Sequence, residues 1–314
     1  MTGVDTGLDA VTGAFSYSGS HIARRLLESG RKVRTLTFHP DRSHPLRDRV
    51  QPFSYRFDDP AALTDTLAGV TTLYNTYWVR FDHGATTFAD AIANSRALFQ
   101  AARRAGVTRI VHLSIANPAI DSALPYYRGK AVVEAALADV RIPHSTVRPT
   151  WIFGGEREIL ANNIAWILRH MPVFAVPGDG RYPVQPVHID DLVQICLKAA
   201  EADGNLTIDA AGPETMSFEQ LVRAIRQAIG ARAPIVHLPP PAMAAVSRAL
   251  GLLVRDVVLT PSEIKALTAG LLVSHDPPQG RLAFTDWLEQ RGRSIGQSYA
   301  NELRRHFEQP LAAR

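Results

Sequence analysis

Residues 8–27 read LDAVTGAFSYSGSHIARRLL. A short apolar run over 8–12 meets a glycine-bearing turn, and an amphipathic helical pattern follows at once. That is the sequence form of a strand feeding a helix whose N-terminal amides and positive dipole end can hold a phosphate. Gly13 permits the tight turn, and Gly19 lets the helix pack closely on the strand. The stretch argues for a bound dinucleotide lying against Gly13, Phe15, Ser16, Tyr17 and Gly19. Its spacing, Gly13-x-x-Ser16-x-x-Gly19, puts serine where backbone ordinarily comes nearest a pyrophosphate. The Ser16 hydroxyl either crowds a phosphate oxygen there or donates to it.

Outward from this stretch, short apolar runs alternate with helical patterns. Strands are expected near 8–12, 32–37, 51–56, 71–75, 109–114 and 143–148, with helices near 18–29, 60–68, 85–105 and 126–138. Such alternation needs crossover connections, and it predicts an α/β fold: a doubly wound parallel sheet with helices on both faces. The run RIVHLS at 109–114 is continuously apolar in the manner of a buried parallel strand. Beyond Arg148 prolines and glycines loosen the pattern. An extended segment at 183–187, a helix at 189–202 and a strand at 206–210 are expected. Ser217-x-x-Gln220 and Thr260-x-x-Glu263 are capping boxes that open helices, the first running to 229. The tail 294–307 reads as one amphipathic helix. The organisation predicted is a dinucleotide-binding domain over 1–153, with segments near 183–210 returning to it, and a smaller C-terminal α/β cap over 154–314 for substrate.

Composition bounds the function. The 314 residues are 46% hydrophobic and 20% charged, with formal charge +4, the profile of a soluble globular protein. The basic residues are dispersed, which gives nucleic-acid binding little support. Cys196 is the one cysteine, so neither an intrachain disulfide nor a cysteine-based metal cluster is available. It falls on the apolar face of LVQICLKAA, where packing is its expected role. No run approaches the length of a membrane span, and MTGVDTGLDA lacks the form of a secretory signal. A cytoplasmic enzyme that meets no membrane and no nucleic acid is the expectation. No metal signature such as HExxH occurs.

Tyr126 and Lys130 stand four apart at the start of a helical stretch and share nearly one face. An ammonium beside a phenol stabilises the phenolate and lowers a pKa that starts near 10. A tyrosine tuned in this way exchanges the proton that accompanies hydride transfer. Lysine also suits a bond to a ribose hydroxyl. Ser114 ends the fifth strand, at the carboxyl edge where ligands of open α/β sheets gather, and its hydroxyl is placed to polarise a substrate carbonyl. Tyr127 competes for the phenol role at a less favourable spacing.

With these residues in view, the chain resembles an extended or atypical short-chain dehydrogenase/reductase of the NAD(P)-dependent epimerase/dehydratase kind. It is also similar to the NmrA-like and complex I accessory-subunit branches. The matching pieces are VTGAFSYSG (11–19), FDDP (57–60), YYRGK (126–130), VRPTWIFGG (147–155) and QPVHIDDL (185–192). The resemblance implies Ser114, Tyr126 and Lys130 as the catalytic set, Asp58 as a contact to adenine, and Pro149 beside the nicotinamide.

Cofactor choice turns on VRTLTFHPDR at 33–42, the end of the second strand. A carboxylate there grips the ribose hydroxyl of NAD, and a cation favours the 2′-phosphate of NADP. His39 and Arg42 are the expected contacts, Arg42 pointing to NADP, and NAD stays open. Asn75, ending the fourth strand, is a further cofactor candidate. On the substrate side, Tyr77, Trp78 and His83 line a pocket or pack a lid. Arg181 meets an anionic substrate or pairs with a local carboxylate, and Arg148, Arg157 and Arg181 are conceivable partners for the diphosphate of a sugar nucleotide. His112 reads as a satisfied core residue, and His188 with Asp190 as structural capping. The expected activity is hydride transfer to or from a small or medium carbonyl or alcohol. Sugar-nucleotide epimerisation or dehydration, or a non-catalytic NADP(H)-binding sensor or assembly factor, are the alternatives, and a homodimer is possible.

Overall fold

The computed structural model describes residues 7–156 and 158–306. The leader reading at 1–6, Arg157 and the predicted end of the tail helix at Phe307 lie outside the described residues. In chain order the first elements are β1 (Leu8–Thr12), α1 (Tyr17–Glu28), β2 (Lys32–Thr37), β3 (Gln51–Ser54), α2 (Pro60–Thr66) and β4 (Val70–Asn75). They continue with α3 (Phe88–Arg104), β5 (Arg109–Leu113), α4 (Pro125–Asp139) and β6 (His144–Pro149). Next come β7 (Trp151–Phe153), α5 (Leu160–His170), β8 (Phe174–Pro177), β9 (Pro183–Val184), β10 (Pro186–His188), α6 (Ile189–Ala200) and β11 (Leu206–Ala210). The last are β12 (Met216–Ser217), α7 (Phe218–Ala228), β13 (Ile235–Leu238), α8 (Pro240–Val254), α9 (Pro261–Thr268), α10 (Phe284–Arg291) and α11 (Glu302–His306).

The described residues divide into two compact units: those up to 149 with 192–209, and those of 150–191 with those from 210 on. The first holds a seven-stranded sheet in the order β11-β6-β5-β4-β1-β2-β3. Every pairing from β3 across to β6 is parallel. This is the doubly wound α/β architecture. Strand order reverses between β1 and β4, so the crevice at their carboxyl ends is the place such sheets bind ligands. Ala10, Leu36, Leu73 and Ile110 of the strands are buried against Leu63, Leu98, Phe99 and Val133 of the helices. Pro52 in β3 is tolerated because β3 is an edge strand and proline has no N–H to donate.

The second unit is built on three two-stranded pairings: β7 with β10, β9 with β12, and β8 with β13. Its core gathers Trp151, Phe153, Phe218, Leu221, Ile225 and Phe284.

Element ends depart from expectation where local hydrogen bonding decides them. Helix α3 starts at Phe88 rather than near 85, because Thr87 and Asp90 form a reciprocal capping box. Just before it, Gly84 takes φ +56 and His83 bridges Thr86. The tail is not one helix. A 3-10 turn at Gly292–Ser294 gives way to an irregular stretch that ends at α11. Gly296 takes φ +71, and Asn162 and Asn163 of α5 accept from the amides of Gly296 and Ala300 at 2.9 Å. That backbone finds its partners on a neighbouring helix instead of within itself. Pro239–Pro241 opens a fifteen-residue helix, α8, with proline at its first positions, where its missing N–H costs nothing.

Candidate functional site

The turn between β1 and α1 is tied down by main-chain bonds. The Gly13 amide donates to the Leu36 carbonyl at 2.8 Å and accepts, through its own carbonyl, from Ser16 N at 2.8 Å. Ala14 N donates to Thr35 Oγ1 at 2.9 Å. Gly13 takes φ +68, and a Cβ on Gly19 would stand 2.2 Å from the Gly13 carbonyl oxygen. Only glycine fits position 19. The Ser16 hydroxyl donates back to Gly13 O at 2.6 Å. It therefore leaves the helix N-terminus without a side-chain cap, and no acidic residue sits in the first turn. A positive dipole end with no competing carboxylate fits a dinucleotide phosphate. Phe15 is buried and packs against His44, ring centroids 5.2 Å apart, so its side chain belongs to the turn's support. Tyr17 lies edge-on to His21 at 5.8 Å.

At the end of β2, His39 N donates to Thr37 Oγ1 at 3.1 Å, and Arg42 N to His39 O at 3.2 Å. Arg34, the other nearby cation, donates to the carbonyls of Thr66 and Ala68 and lies over Phe53. Phe38 is largely exposed but touches Tyr55, ring centroids 4.6 Å apart. Tyr55, Phe57 and Tyr77 complete that aromatic cluster. Asp58 is exposed, 4.0 Å from Arg56.

Asn75 is fully buried and its amide is engaged within the protein. Its Oδ1 accepts from Thr12 Oγ1 and Tyr77 N, each at 3.1 Å. Its Nδ2 lies 3.1 Å from His112 Nδ1. Burial, with the Lys130 ammonium adding to it, holds His112 well below its ordinary pKa, so the ring is neutral. With Nδ1 accepting, the proton sits on Nε2, which is buried and has no partner. His112 is a core residue, but only half satisfied. The Asn75 side chain thus ties together the ends of β1, β4 and β5.

Tyr126 and Lys130 both lie on the first turns of α4. The half-buried Tyr126 ring meets Trp78 edge-on at 6.0 Å and Phe88 at 6.1 Å. Lys130 is 3% exposed. Its Nζ donates to the Leu113 carbonyl at 2.9 Å and stands 4.8 Å from the Trp78 ring centroid. Burial pushes its pKa down to about 7, against an upward pull from Glu134. Gly129 makes room for the indole, since a Cβ there would stand 2.9 Å from Trp78 Cη2. Trp78 therefore touches both the phenol and the amine. That role was not visible in the sequence, where only its place in an aromatic loop marked it.

Ser114 follows β5, its amide donating to Val147 O at 2.8 Å. It is 4% exposed, and its hydroxyl oxygen is buried without a hydrogen-bond partner. Because Lys130 bonds the carbonyl of the residue before it, amine and hydroxyl lie at the same strand end. Pro149 closes β6, its carbonyl accepting from Ala116 N at 2.9 Å. Tyr127, the competing phenol, is buried.

Arg148 is held by Glu134 at 2.5 and 3.0 Å, so it is occupied by an ion pair. His83 and the Arg181 side chain are exposed. His188 Nδ1 accepts from Asp190 N at 3.2 Å at the start of α6. Cys196 is buried in α6, its thiol pushed up to about 12 by burial. Among the described residues no cluster of three His, Cys, Asp or Glu could hold a metal. No described helix is long and apolar enough to cross a membrane.

Three comparisons bear on this geometry. The model of the NAD dependent epimerase/dehydratase family matches residues 10–209. Sterol demethylase protein B of Methylococcus capsulatus is 34% identical over 108 residues, 33% of each chain. The chain thus spans about a third of the length of that relative. Among solved structures, Citrobacter triphenylmethane reductase complexed with NADP(H) superposes with TM-score 0.70 at 18% identity, over 90% of this chain and 99% of that one. The NADPH-dependent quinone oxidoreductase QOR2 of Escherichia coli, complexed with NADPH, superposes with TM-score 0.71 at 20% identity, over 90% and 99%. At such identities these two structures speak to the fold alone.

Proposed function

The chain belongs to the NAD dependent epimerase/dehydratase family, and from that premise we propose that it is an NAD(P)-dependent oxidoreductase acting on a small or medium carbonyl or alcohol. The observation that carries the reading is the buried, partnerless Ser114 hydroxyl at the strand end where Lys130 of the Tyr126 helix is anchored. A buried hydroxyl without a partner is costly unless a ligand supplies one.

The main chain of 13–19 would hold the pyrophosphate, with Lys130 toward the nicotinamide ribose and Pro149 beside the ring. The dinucleotide supplies, when bound, the hydride acceptor or donor. Ser114 donates to the substrate oxygen and steadies charge developing there. Tyr126 gives or takes the proton at that oxygen. Lys130, fixed by the Leu113 carbonyl and the Trp78 face, sets the field at the phenol. Arg42, beyond β2, supports NADP over NAD, as do the NADP(H) and NADPH bound by the two reductases of similar fold. The ion pair of Arg148 with Glu134 weighs against a diphosphate pocket of the kind a sugar-nucleotide epimerase needs.

The test is Tyr126→Phe, assayed with NADPH and NADH over a panel of quinones, ketones and aldehydes. Turnover is expected to fall about 10²- to 10⁴-fold, with dinucleotide affinity unchanged. Undiminished turnover removes the assignment. A second reading, a dinucleotide-responsive protein without chemistry, draws support from Lys130, whose amine is already bonded to main chain. NADPH binding with no oxidation across the panel would select it.

A further inference from the structure

Helix α8 in the second unit turns Met243, Ser247 and Gly251, spaced four apart, toward the interior. Its other side is unlike an ordinary solvated face. Ala242, Ala245, Val246, Ala249, Leu252 and Leu253 are exposed there, with Leu252 at 83% and Leu253 at 66%. Of the nine large apolar side chains most exposed among the described residues, three lie on this helix. At about 100° per residue, the exposed arc covers roughly half the circumference; Arg248 stands at its edge, and the exposed Arg255 caps the helix's C-terminal end. A helix whose outer face is this apolar is suited to contact with something besides water.

The charge of the surrounding chain says what. Between Glu219 and Glu263 stand five arginines and a single acidic residue, Asp256. Arg223 is paired with Glu219. The Asp256 carboxylate is turned inward, accepting from Tyr299 Oη at 3.1 Å and from the amides of Glu302 and Leu303 at 2.8 and 3.0 Å. Neither Arg248 nor Arg255 has an ion-pair partner among the described residues. The helix therefore presents an apolar face bordered by cations and free of acidic side chains. A second copy of the chain would bring that same acid-free arginine edge against its own kind. An anionic lipid headgroup layer complements both features: apolar side chains enter the acyl boundary and guanidinium groups meet phosphates. We propose that α8 docks the protein on anionic membrane surfaces, lying in the interface without crossing it.

The intact chain is floated with vesicles of phosphatidylcholine alone and of phosphatidylcholine mixed equally with phosphatidylglycerol. Binding is expected to the mixed vesicles and to weaken with salt. Arg248→Gln with Arg255→Gln should lower the partition coefficient about twenty-five-fold, near fivefold per arginine. Leu252→Ser with Leu253→Ser should lower it at least about a hundredfold. Leu252→Trp gives an independent readout on a protein that keeps its apolar face, a blue-shifted emission on adding mixed vesicles. Equal failure on both vesicle types, binding indifferent to the leucine pair, or unshifted Leu252→Trp emission overturns the proposal. So does a dimer in light scattering that the leucine pair dissolves while no vesicle binding is seen.

Discussion

The Lys130 amine is buried against a tryptophan face with one carbonyl to bond, an environment that favours its neutral form. The sign of the consequence follows from linkage. Its folded pKa is about 7, against about 10.4 for an unfolded lysine. Between those values the unfolded chain holds a proton that the folded chain has released. Stability tied to this group is therefore complete above the unfolded pKa and is lost as pH falls toward 7, by up to about 1.4 kcal/mol per pH unit. Lys130→Met removes the effect. In urea melts, its stability advantage over the natural chain should be largest at pH 7 and shrink steadily toward pH 10. A difference that does not move with pH means the amine is not desolvated. Turnover in the same variant should collapse if Lys130 serves the phenol, so a gain in stability with a loss in activity is the expected signature.

Helix starts in this protein are set by short-range chemistry. Ser217 accepts from Gln220 N while Gln220 reaches back to Ser217 N, and Thr260 with Glu263 repeats the arrangement. Helix α7 places Phe218, Leu221, Val222 and Ile225 in the second unit's core, so a frayed start loosens that core. Ser217→Ala is expected to cost about 1 kcal/mol, read as a lower urea midpoint at unchanged slope. No change would mean the box is ornamental to α7. Helix α1 is the contrast. Its N-cap serine bonds the preceding turn, and the uncapped end is what a phosphate requires.

At the scale of the whole chain, the sheet is completed by residues that follow a long excursion in sequence. Strand β11 takes the edge beside β6. Arg109 of β5 binds Ala199 O and Gly204 O at 3.0 Å and Ser145 Oγ at 2.6 Å. A chain cut after residue 153 loses α6 and β11, leaving Arg109 without two acceptors and β6 as a bare edge. It is expected to aggregate on size exclusion where the intact chain runs monodisperse; a cooperatively unfolding 1–153 would contradict this account. The Gly13–Gly19 turn, the strand–helix alternation and two capping boxes were legible in the sequence because each depends on residues within a few positions of one another. Packing across tens of residues decided the rest: the indole wedged between Tyr126 and Lys130, the Ser114 hydroxyl left without a partner, Asn75 drawn inward by Thr12 and His112, and α8 left with an uncovered apolar face. Whether a polar atom is paired or an apolar face is wet depends on neighbours distant in sequence, which periodicity and spacing do not record.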